Sequence, residues 1–563
     1  MEGLTRREVL AARRVRPKVP KRPSVPARLH AVSVSASRVS IAWRRSHDHG
    51  QHVHYEVLRN GHRVGHVHSA AFTDHKVKAS TTYRYTVRAV SGKLESRRSP
   101  TLHVTTPGAF IPPLLAPPPP PPRPLLTEAM VDRLFWRAGF GPSTEERAQW
   151  TGHPIADLVE FFVSAPNVLT PPSTPPTYNG KPINPLDSDA ELQMEWLDVM
   201  ARSTNPFVER LTLFWHRHFA VSKDAGIPSP LLLAYRDRLR RYADFSTTPS
   251  ATFKNLAFEM TTQDAAMSVY LTGYLNVKAA PNENYAREFM ELFTLGVTNA
   301  SGTPNYTQTD VHNVARAFTG YQLNQATGVV TFTPSLFDST AKTILGQTAA
   351  FNAPGAVDLI LSHPSHAPFL VSVLWAEFIA APIPADALAA LTAVYAQSDT
   401  QLQPLLRGIL SHPLIFDSLD EPTMIKAPIV YAVGVLRATG APLGAAQVAA
   451  LYYMQQQPYH PPNVAGWPGG LAWLTTGTSA ARFSLIPDCQ GLMAPLTDIP
   501  TESAADAYAR AYAACGSPWL APATQTLLQT LAAQAPVKTP AQRIERQYAL
   551  RSLILGGPDG QVM

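Results

Sequence analysis

Six consecutive prolines, residues 117–122, divide this chain of 563 residues into two parts with different hydrophobic periods. Proline lacks an amide donor and holds φ at about −65°, so the run favours an extended polyproline spacer over a helix or a central strand. The chain is also longer than one ordinary hydrophobic core. We therefore predict a multidomain protein with a proline-rich linker over residues 108–126. Docking of a proline-recognition domain on the linker is the less favoured interpretation.

The part before the prolines has a period of two. Tyr55 and Val57 alternate with polar neighbours, and Asn60-Gly61 has the composition of a two-residue hairpin turn in which both residues need positive φ. Short strands at regular spacing are typical of a β-sandwich. The sequence therefore predicts a small all-β sandwich over residues 26–107.

Histidines are concentrated in this β part. His52, His54 and Glu56 share one predicted strand face, and His66 and His68 share a face of the next strand. A metal-binding or pH-sensitive patch is one interpretation. A solvated outer face is the favoured one, because the opposite face of the strand already supplies the core.

The first 25 residues carry most of the formal net charge of +7. They hold eight Lys or Arg against Glu2 and Glu8, which gives +6 for this segment. Residues 5–10 resemble a twin-arginine export motif, but no apolar segment follows them. We predict a basic tail over residues 1–25, a remnant of such a signal being one interpretation. The remaining chain is nearly neutral, so no nucleic-acid-binding face is expected.

The cysteine count and the length of the apolar runs limit which metal sites and membrane topologies are compatible with the sequence. Cys489 and Cys515 are the only cysteines, which excludes a zinc site built from cysteines and leaves open whether the two are bonded. No apolar run reaches the length of a membrane span, so no transmembrane segment is predicted.

After the prolines the period is helical to the end of the chain. Thr127 is a predicted helix cap, Asn205-Pro206 opens another helix, and Thr539-Pro540 opens the last one. These signals predict a large, mostly α-helical domain over residues 127–563.

A polar stripe stands out within residues 281–296. Asn284, Arg287, Glu288 and Glu291 have the spacing i, i+3, i+4, i+7, which places them on one face of a regular helix. Glu288 or Glu291 is a candidate general base or metal ligand, with Arg287 as the charge partner. The alternative, which spacing alone favours, is an exposed stripe with an Arg287–Glu291 ion pair.

The next predicted helix, from Thr307, carries Asp310, His312 and Arg316. His312 and Arg316 are i,i+4 neighbours that suit an anion or a metal-bound carboxylate. The alternatives are that Asp310 only satisfies helix-end amides and that the other two residues lie on the surface.

Two more segments hold candidate site residues. His216 and His218 lie two apart, so their side chains differ by about 200° in a regular helix and cannot chelate one ion there. His218 is by default a hydrogen-bonded core histidine. The turn-rich loop with Asn463 and Trp467 suits an exposed aromatic for sugar stacking, and a buried tryptophan that locks the loop is equally compatible.

Ordered motifs in the helical part resemble the large bacterial family catalogued as domain of unknown function 1800. The matching segments are residues 133–143, 213–222, 281–296, 306–321, 342–346, 359–378 and 461–473. The β part resembles the fibronectin type III module, with Tyr83 in the tyrosine-corner position. The resemblance implies an exported protein and a neighbouring gene whose product is a candidate partner. This chain has Phe337-Asp338 where the family typically has histidine-aspartate.

Two functional hypotheses follow. In the first, the protein is a metal-assisted hydrolase that acts on an extracellular polysaccharide or other polymer and binds a divalent metal. The proposed metal ligands are His216, His218, His312 and Asp338; the catalytic residues Glu288, Glu291, Arg287, Asp310 and Arg316; the substrate contacts Asn284, Asn463 and Trp467. In the second, it is a non-catalytic surface or matrix protein that adheres through the fibronectin-like module. We expect an extracellular or cell-surface location, with the cytoplasm as the alternative.

Overall fold

The computed structural model describes residues 22–47, 53–107, 124–172, 175–492 and 495–563. The chain forms two compact units, Met1–Pro121 and Pro122–Met563. The predicted basic tail and linker lie almost entirely outside the described residues. The predicted fold class, a small all-β region followed by a mostly helical domain, is confirmed.

The first unit is built from two antiparallel sheets. Its strands are β1 (Ala27–Val34), β2 (Val39–Arg44), β3 (His54–Arg59), β4 (His62–Val67), β5 (Ala71–Asp74), β6 (Thr82–Ser91), β7 (Leu94–Glu95) and β8 (Leu102–Thr105). One sheet has the order β1-β2-β5; the other has the order β4-β3-β6-β7, with β8 also paired to β6. Alternate residues of β2, β3 and β6 form the core, as the period of two predicts.

The hairpin turn and the tyrosine corner predicted from the sequence are both present in this unit. Asn60 and Gly61 both have positive φ, of 51° and 87°, as a two-residue hairpin turn requires. The Tyr83 hydroxyl accepts a hydrogen bond of 2.7 Å from the Lys78 amide, five residues upstream. This is the contact that defines a tyrosine corner.

The second unit is mostly helical and has one continuous core. Its first ten α-helices are α1 (Glu128–Ala138), α2 (Thr144–Trp150), α3 (Ile155–Ser164), α4 (Asp189–Arg202), α5 (Pro206–His218), α6 (Ser229–Arg241), α7 (Phe253–Thr262), α8 (Ala265–Tyr270), α9 (Glu283–Glu288) and α10 (Gln308–Ala317). The next ten are α11 (Ala353–Leu361), α12 (His366–Phe378), α13 (Ala385–Gln397), α14 (Leu402–Leu410), α15 (Pro428–Thr439), α16 (Ala445–Tyr453), α17 (Thr476–Leu492), α18 (Ala504–Ala514), α19 (Pro522–Gln534) and α20 (Pro540–Gly556).

Capping residues fix where the helices begin. The side chains of Thr127, Asn205 and Thr539 accept hydrogen bonds from amides of the first turns of α1, α5 and α20. The sequence predicted all three starts, because each cap satisfies a backbone donor that has no partner within the helix.

Among the described residues of the second unit, three short hairpins interrupt the helices. They are β9–β10 (Thr177–Tyr178 and Lys181–Pro182), β11–β12 (Tyr321–Asn324 and Val329–Phe332) and β13–β14 (Lys342–Ile344 and Gln347–Ala349). Strands this short carry too few alternations to show a period of two, so the sequence did not indicate them.

The segment that holds the polar stripe is not one regular α-helix. After α9, residues Phe289–Thr294 form a π-helix, and the Leu295 amide donates to the Met290 carbonyl five residues earlier. The wider turn changes the direction of Glu291 relative to Glu288, so the assumption of a single regular helix face was wrong here.

Among the described residues, no single helix has the length and apolar character to cross a membrane. One bent pair, α11 with α12, meets the criteria of length and composition jointly at an angle of 75°.

Candidate active-site cleft

One face of α1 is polar and lines a cavity. Glu128, Asp132 and Trp136 lie four residues apart, so they follow one another along the same side of the helix. The opposite side of α1 carries the buried residues Val131 and Phe135. The cavity has a volume of about 670 Å³. Packing of the apolar side against the core therefore points the polar stripe into the cavity.

The remaining walls come from segments distant in sequence. They include Arg147 of α2, Lys426 before α15, Tyr512 of α18, and Trp519, Leu520 and Asp559. Three aromatic side chains thus face a space that also holds carboxylates and cations. Aromatic rings beside carboxylates suit a ligand with apolar faces and hydroxyl edges.

Asp132 is held by a cation at the wall of the cavity. Its Oδ1 atom lies 2.6 Å from Nε of Arg147, which donates a hydrogen bond to it. Burial raises the pKa of Asp132 to about 6, against the opposing effects of Arg147 and Lys426. The negative charge of Glu128 contributes in the same direction as burial. Asp132 therefore holds a proton in part of the molecules near neutral pH.

Lys426 is buried beside it, with 3% of its surface exposed. Its Nζ atom lies 3.7 Å from the centre of the Trp136 ring and donates a hydrogen bond of 2.9 Å to the Gly560 carbonyl. Burial lowers the pKa of Lys426 to about 7, and the charge of Asp132 acts in the opposite direction. A carboxyl and an amine that both titrate near neutrality can exchange protons with a ligand.

Three of the four residues of the polar stripe within residues 281–296, namely Asn284, Arg287 and Glu291, form hydrogen bonds. Arg287 Nη2 donates 2.8 Å to Gln308 Oε1 and lies 3.5 Å from Glu283, not beside Glu291. The Tyr306 hydroxyl donates 3.4 Å to Glu291. Burial raises the pKa of Glu288, as does the charge of Glu291. The fourth member of the stripe, Asn284, donates to the Leu271 carbonyl.

The four candidate residues of the next segment, Asp310, His312, Arg316 and Asp338, each have a hydrogen-bond partner. Asp310 accepts from the amides of Thr307 and Leu345, at 2.8 and 2.7 Å. Arg316 Nε donates 2.7 Å to Asp338, and hydrogen bonds from Thr340 and Arg316 hold the pKa of Asp338 below its usual range despite opposing desolvation. His312 Nδ1 lies 2.9 Å from Glu283.

Both histidines of α5 are buried in separate hydrogen bonds. His216 Nε2 accepts from the Tyr459 amide at 3.0 Å, so its Nδ1 carries the proton and donates to the Tyr235 hydroxyl. His218 Nε2 donates to the Phe293 carbonyl at 3.1 Å. Burial lowers the pKa of His216 to about 3 and that of His218 to about 4, so both are neutral at physiological pH.

The loop with Asn463 and Trp467 closes over His216. Trp467 is buried, with its ring edge-on to His216 at 5.1 Å between centres. Asn463 is exposed and accepts from the Ala465 amide, which shapes the turn. Of the two alternatives for Trp467, the buried side chain that locks the loop is the one found.

His460, in the same loop, is a polar centre that the sequence did not indicate. Its ring nitrogens lie 2.9 Å from Asp189 and 3.0 Å from Asp224. These carboxylates raise the pKa of His460 against desolvation, the largest single effect. The preceding residue, Tyr459, has a positive φ of 66°, a strained backbone conformation for a non-glycine residue.

The divalent metal site does not form from these residues. Across the described ranges, no group of three or more His, Cys, Asp or Glu side chains is placed to hold a metal ion. His216 has both ring nitrogens engaged, His312 pairs with Glu283, and Asp338 pairs with Arg316. The ligand set proposed from the sequence is therefore corrected, because its members lie in separate networks.

The histidines of the first unit cluster as expected. The rings of His54 and His66 stack at 4.3 Å between centres, and His68 lies 5.9 Å from His54. Glu56 is paired with Arg63 and Arg88. His52 lies outside the described residues. No metal-binding group is found among the described residues of this unit either.

The residues that line the α1 cleft were not singled out from the sequence. The spacing of Glu128, Asp132 and Trp136 at four-residue intervals does predict a second helix face, opposite the apolar one, and this signal is readable in the sequence. Lys426 had no such signal, because its burial depends on the segment around Gly560, far along the chain.

Comparison with known families identifies both units. A sequence profile described as "Protein of unknown function (DUF1800)" matches residues 133–562, more than half of the chain. The protein belongs to the DUF1800 family. A second profile, the fibronectin type III domain, matches residues 24–105.

Curated relatives match this DUF1800 protein through the fibronectin type III region. An alpha-amylase of Niallia circulans is 41% identical over 15% of this chain and 7% of its own length. Exoglucanase B of Cellulomonas fimi is 42% identical over 15% and 8%, and a poly(3-hydroxybutyrate) depolymerase of Ralstonia pickettii is 36% identical over 16% and 17%. The chain thus spans less than a fifth of each of these relatives. A solved human fibronectin type III domain aligns with 16% of this chain and 93% of its own, at 18% identity and a TM-score of 0.15.

Proposed function

We propose that this DUF1800 protein hydrolyses glycosidic bonds of an extracellular polysaccharide in the α1 cleft. The observation that carries the proposal is Asp132, a carboxyl with a raised pKa, placed one helical turn from Glu128 in a cavity with aromatic walls. Two carboxyl groups in unlike environments are the usual equipment for glycoside hydrolysis.

Each carboxyl has a distinct task. Protonated Asp132 transfers its proton to the glycosidic oxygen as the bond from that oxygen to the anomeric carbon breaks. Glu128, which is exposed to solvent, accepts a proton from the water that attacks the anomeric carbon. The hydroxide part of the water joins one sugar, and the leaving oxygen keeps the proton from Asp132. Solvent then returns the proton from Glu128 to Asp132.

The other groups of the cleft position the substrate. Trp136, Tyr512 and Trp519 offer ring faces on which the apolar side of a pyranose stacks. Lys426 and Arg147 set the charge around Asp132 and so adjust its proton affinity. The proposal needs no metal ion, which accords with the separate networks of the histidines.

The first unit supports a polymeric substrate. Its relatives are modules of proteins named as an amylase, an exoglucanase and a depolymerase, each of which acts on a polymer. A fibronectin type III module joined through a proline-rich linker would keep the helical domain near such a polymer. This arrangement also favours an extracellular location.

A panel of neutral and acidic polysaccharides tests the proposal by release of reducing ends from the full-length protein. Asp132→Asn should lower the rate by about 10²–10⁴-fold, the usual range for a lost general acid. The wild-type rate should fall as pH rises through about 6, because Asp132 must be protonated to act. A wild-type protein without hydrolytic activity on the whole panel, or an Asp132→Asn variant with full activity, refutes the proposal.

A non-catalytic polymer-binding protein is the second candidate, and the aromatic walls of the cleft favour it equally. Sedimentation with insoluble polysaccharide separates the two. If Trp136→Ala and Trp519→Ala abolish co-sedimentation while no product forms at any pH, the protein is a binding protein.

A further inference from the structure

Two arginines of α1 face a second cavity, and one of them, Arg133, also lines the α1 cleft. Arg133 and Arg137 lie one turn apart, and both line a cavity of about 130 Å³. Arg133 is 5% exposed and Arg137 is 2% exposed. The other lining residues are Ala380, Ala381, Leu414, Asp417, Ser418 and Thr423.

Both guanidinium groups bind backbone oxygens. Arg133 donates to the carbonyls of Ile415, Asp417 and Ser418, at 3.1, 2.7 and 2.8 Å. Arg137 donates to the carbonyl of Phe378 at 3.3 Å and to the main-chain oxygen of Met563 at 2.8 Å, and it also contacts the Met424 sulfur. The Nε atom of Arg137 is buried and has no hydrogen-bond partner in the described part of the chain.

The positive charge is only partly balanced, since Asp417 lines the same cavity and its charge opposes the lowering of the Arg133 pKa by burial. Within the described ranges, no Asp or Glu side chain forms an ion pair with Arg133 or Arg137. The nearby Arg210 has Glu377 at 2.6 Å, but Glu377 is shared with Arg217 at 3.2 Å. Buried charge without a counter-ion is costly unless an anion joins it.

The electrostatics agree with this excess of positive charge. Burial lowers the pKa of Arg137 to about 9, and the charges of Arg133 and Arg210 lower it further in the same direction. Groups of like charge are held here in one small volume, where a bound anion would relieve their repulsion.

We propose that this cavity is a binding site for a small oxyanion, held by Arg137 and Arg133. Phosphate, sulfate and a sugar carboxylate share the required chemistry, since each presents two oxygens to the paired donors of a guanidinium. The hydroxyls of Ser418 and Thr423 add donors at the cavity wall. The proposal does not rest on hydrolysis in the α1 cleft, although Arg133 lines both cavities.

Arg482 provides a matched comparison within the same unit. It is also buried, at 1% exposure, also donates to a backbone oxygen (Lys426, 2.8 Å), and also has an unpartnered Nε. Its ring partner is Tyr431, at 5.2 Å. It stands as a single arginine and lines neither of the two cavities described above. The paired arginines and the cavity, rather than burial alone, therefore define the proposed site.

Equilibrium dialysis of the full-length protein with radiolabelled phosphate tests the site. We expect one saturable site per chain, displaced by sulfate but not by chloride at equal ionic strength. Arg137→Gln should weaken phosphate binding by at least about tenfold, the effect of losing a charge-assisted contact. Arg482→Gln should leave it unchanged. Wild-type protein without saturable binding, or equal losses in both variants, overturns the proposal.

Two further arms separate the source of the anion and protect against misfolding of Arg137→Gln. Competition by glucuronate but not by glucose, with weak displacement by sulfate, indicates the carboxylate of an acidic sugar; the reverse order indicates a free inorganic anion. Ala380→Trp places a large side chain at the exposed wall of the cavity and keeps both arginines. It should abolish phosphate binding in a folded protein, and unchanged binding in this variant contradicts the assigned cavity.

Discussion

The α1 cleft and the polar segment of residues 281–320 both carry acidic residues within one helical turn of each other, yet they differ in what surrounds those residues. In the segment, Arg287 donates a hydrogen bond to Gln308 and forms an ion pair with Glu283, and Glu291 accepts a hydrogen bond from Tyr306. In the cleft, Glu128 and Asp132 face a cavity of about 670 Å³. A polar stripe is a candidate site when the neighbouring elements bury it partly and also leave a cavity beside it for a ligand.

Burial raises the pKa of a carboxyl in both regions, Asp132 in the cleft and Glu288 in the segment, but only the cleft places a buried lysine beside it. Burial raises the pKa of Asp132 to about 6 and lowers that of Lys426 to about 7, so both groups gain or lose a proton near neutral pH. Beside the segment, Asp338 accepts from Arg316 of α10 and is held in its charged form by hydrogen bonds from Thr340 and Arg316. Its role there is to fix the end of α10 to the following loop. The comparison therefore separates residues that can move protons from residues that hold structure.

The sharpest way to break the comparison is to remove the carboxylates of each region in turn. Glu128→Gln should lower polysaccharide hydrolysis by about 10²–10⁴-fold, because water loses its proton acceptor. The double variant Glu288→Gln/Glu291→Gln keeps the same shape change and should hydrolyse at the wild-type rate. Reducing-end release under saturating substrate measures both. A large loss only in the double variant would return the active site to the polar segment.

Lys426 gives the next largest effect, on stability. Its pKa is about 7 in the folded chain and about 10.4 in an unfolded one. Between these values the unfolded state binds more protons, so this group makes the protein more stable as pH rises from about 7 to 10. Below pH 7 the buried charge costs its full amount.

Lys426→Met should remove that pH dependence and stabilise the protein by about 1–4 kcal/mol at pH 6, the range seen when apolar residues replace buried charges. Urea unfolding at pH 6 and pH 9 measures it, since urea does not screen charge. Arg287→Met, in the polar segment, is the control and should keep the wild-type rise in stability from pH 6 to pH 9, because Lys426 is unchanged. A wild-type protein that loses stability from pH 7 to pH 9 through Lys426 would contradict the assignment.

How far the sequence predicts this molecule depends on the range of the interactions involved. The tyrosine corner, the Asn60-Gly61 turn and the caps at Thr127 and Asn205 were readable, because each depends on residues a few positions apart. The π-helix after Glu288 was not readable, since packing of the neighbouring helices decides it.

The candidate site was less predictable for the same reason. The spacing of Glu128, Asp132 and Trp136 is local, but the burial that raises the pKa of Asp132 depends on a cavity whose other walls come from distant parts of the chain. For the expected metal ligands, closeness in sequence did not predict a shared site. His216 and His218 lie two residues apart, but their hydrogen-bond partners, Tyr459 and Phe293, belong to different segments.

The smallest expected effect compares the two arginines that accompany the carboxylates. Arg287→Ala should cost less than about 1 kcal/mol of unfolding free energy, because a partly exposed pair is solvated and screened. Arg147→Ala should cost more, about 1–3 kcal/mol, because Asp132 then loses the donor at 2.6 Å in a mostly buried place. The cost should shrink below pH 6, where Asp132 takes up a proton and no longer needs a cation. The midpoints of urea unfolding at pH 5 and pH 8, compared between each variant and the wild type, measure both costs. Equal costs for the two variants at pH 8 would mean that the cleft carboxyl is no more buried than the polar segment, and the contrast between the regions would then lose its physical basis.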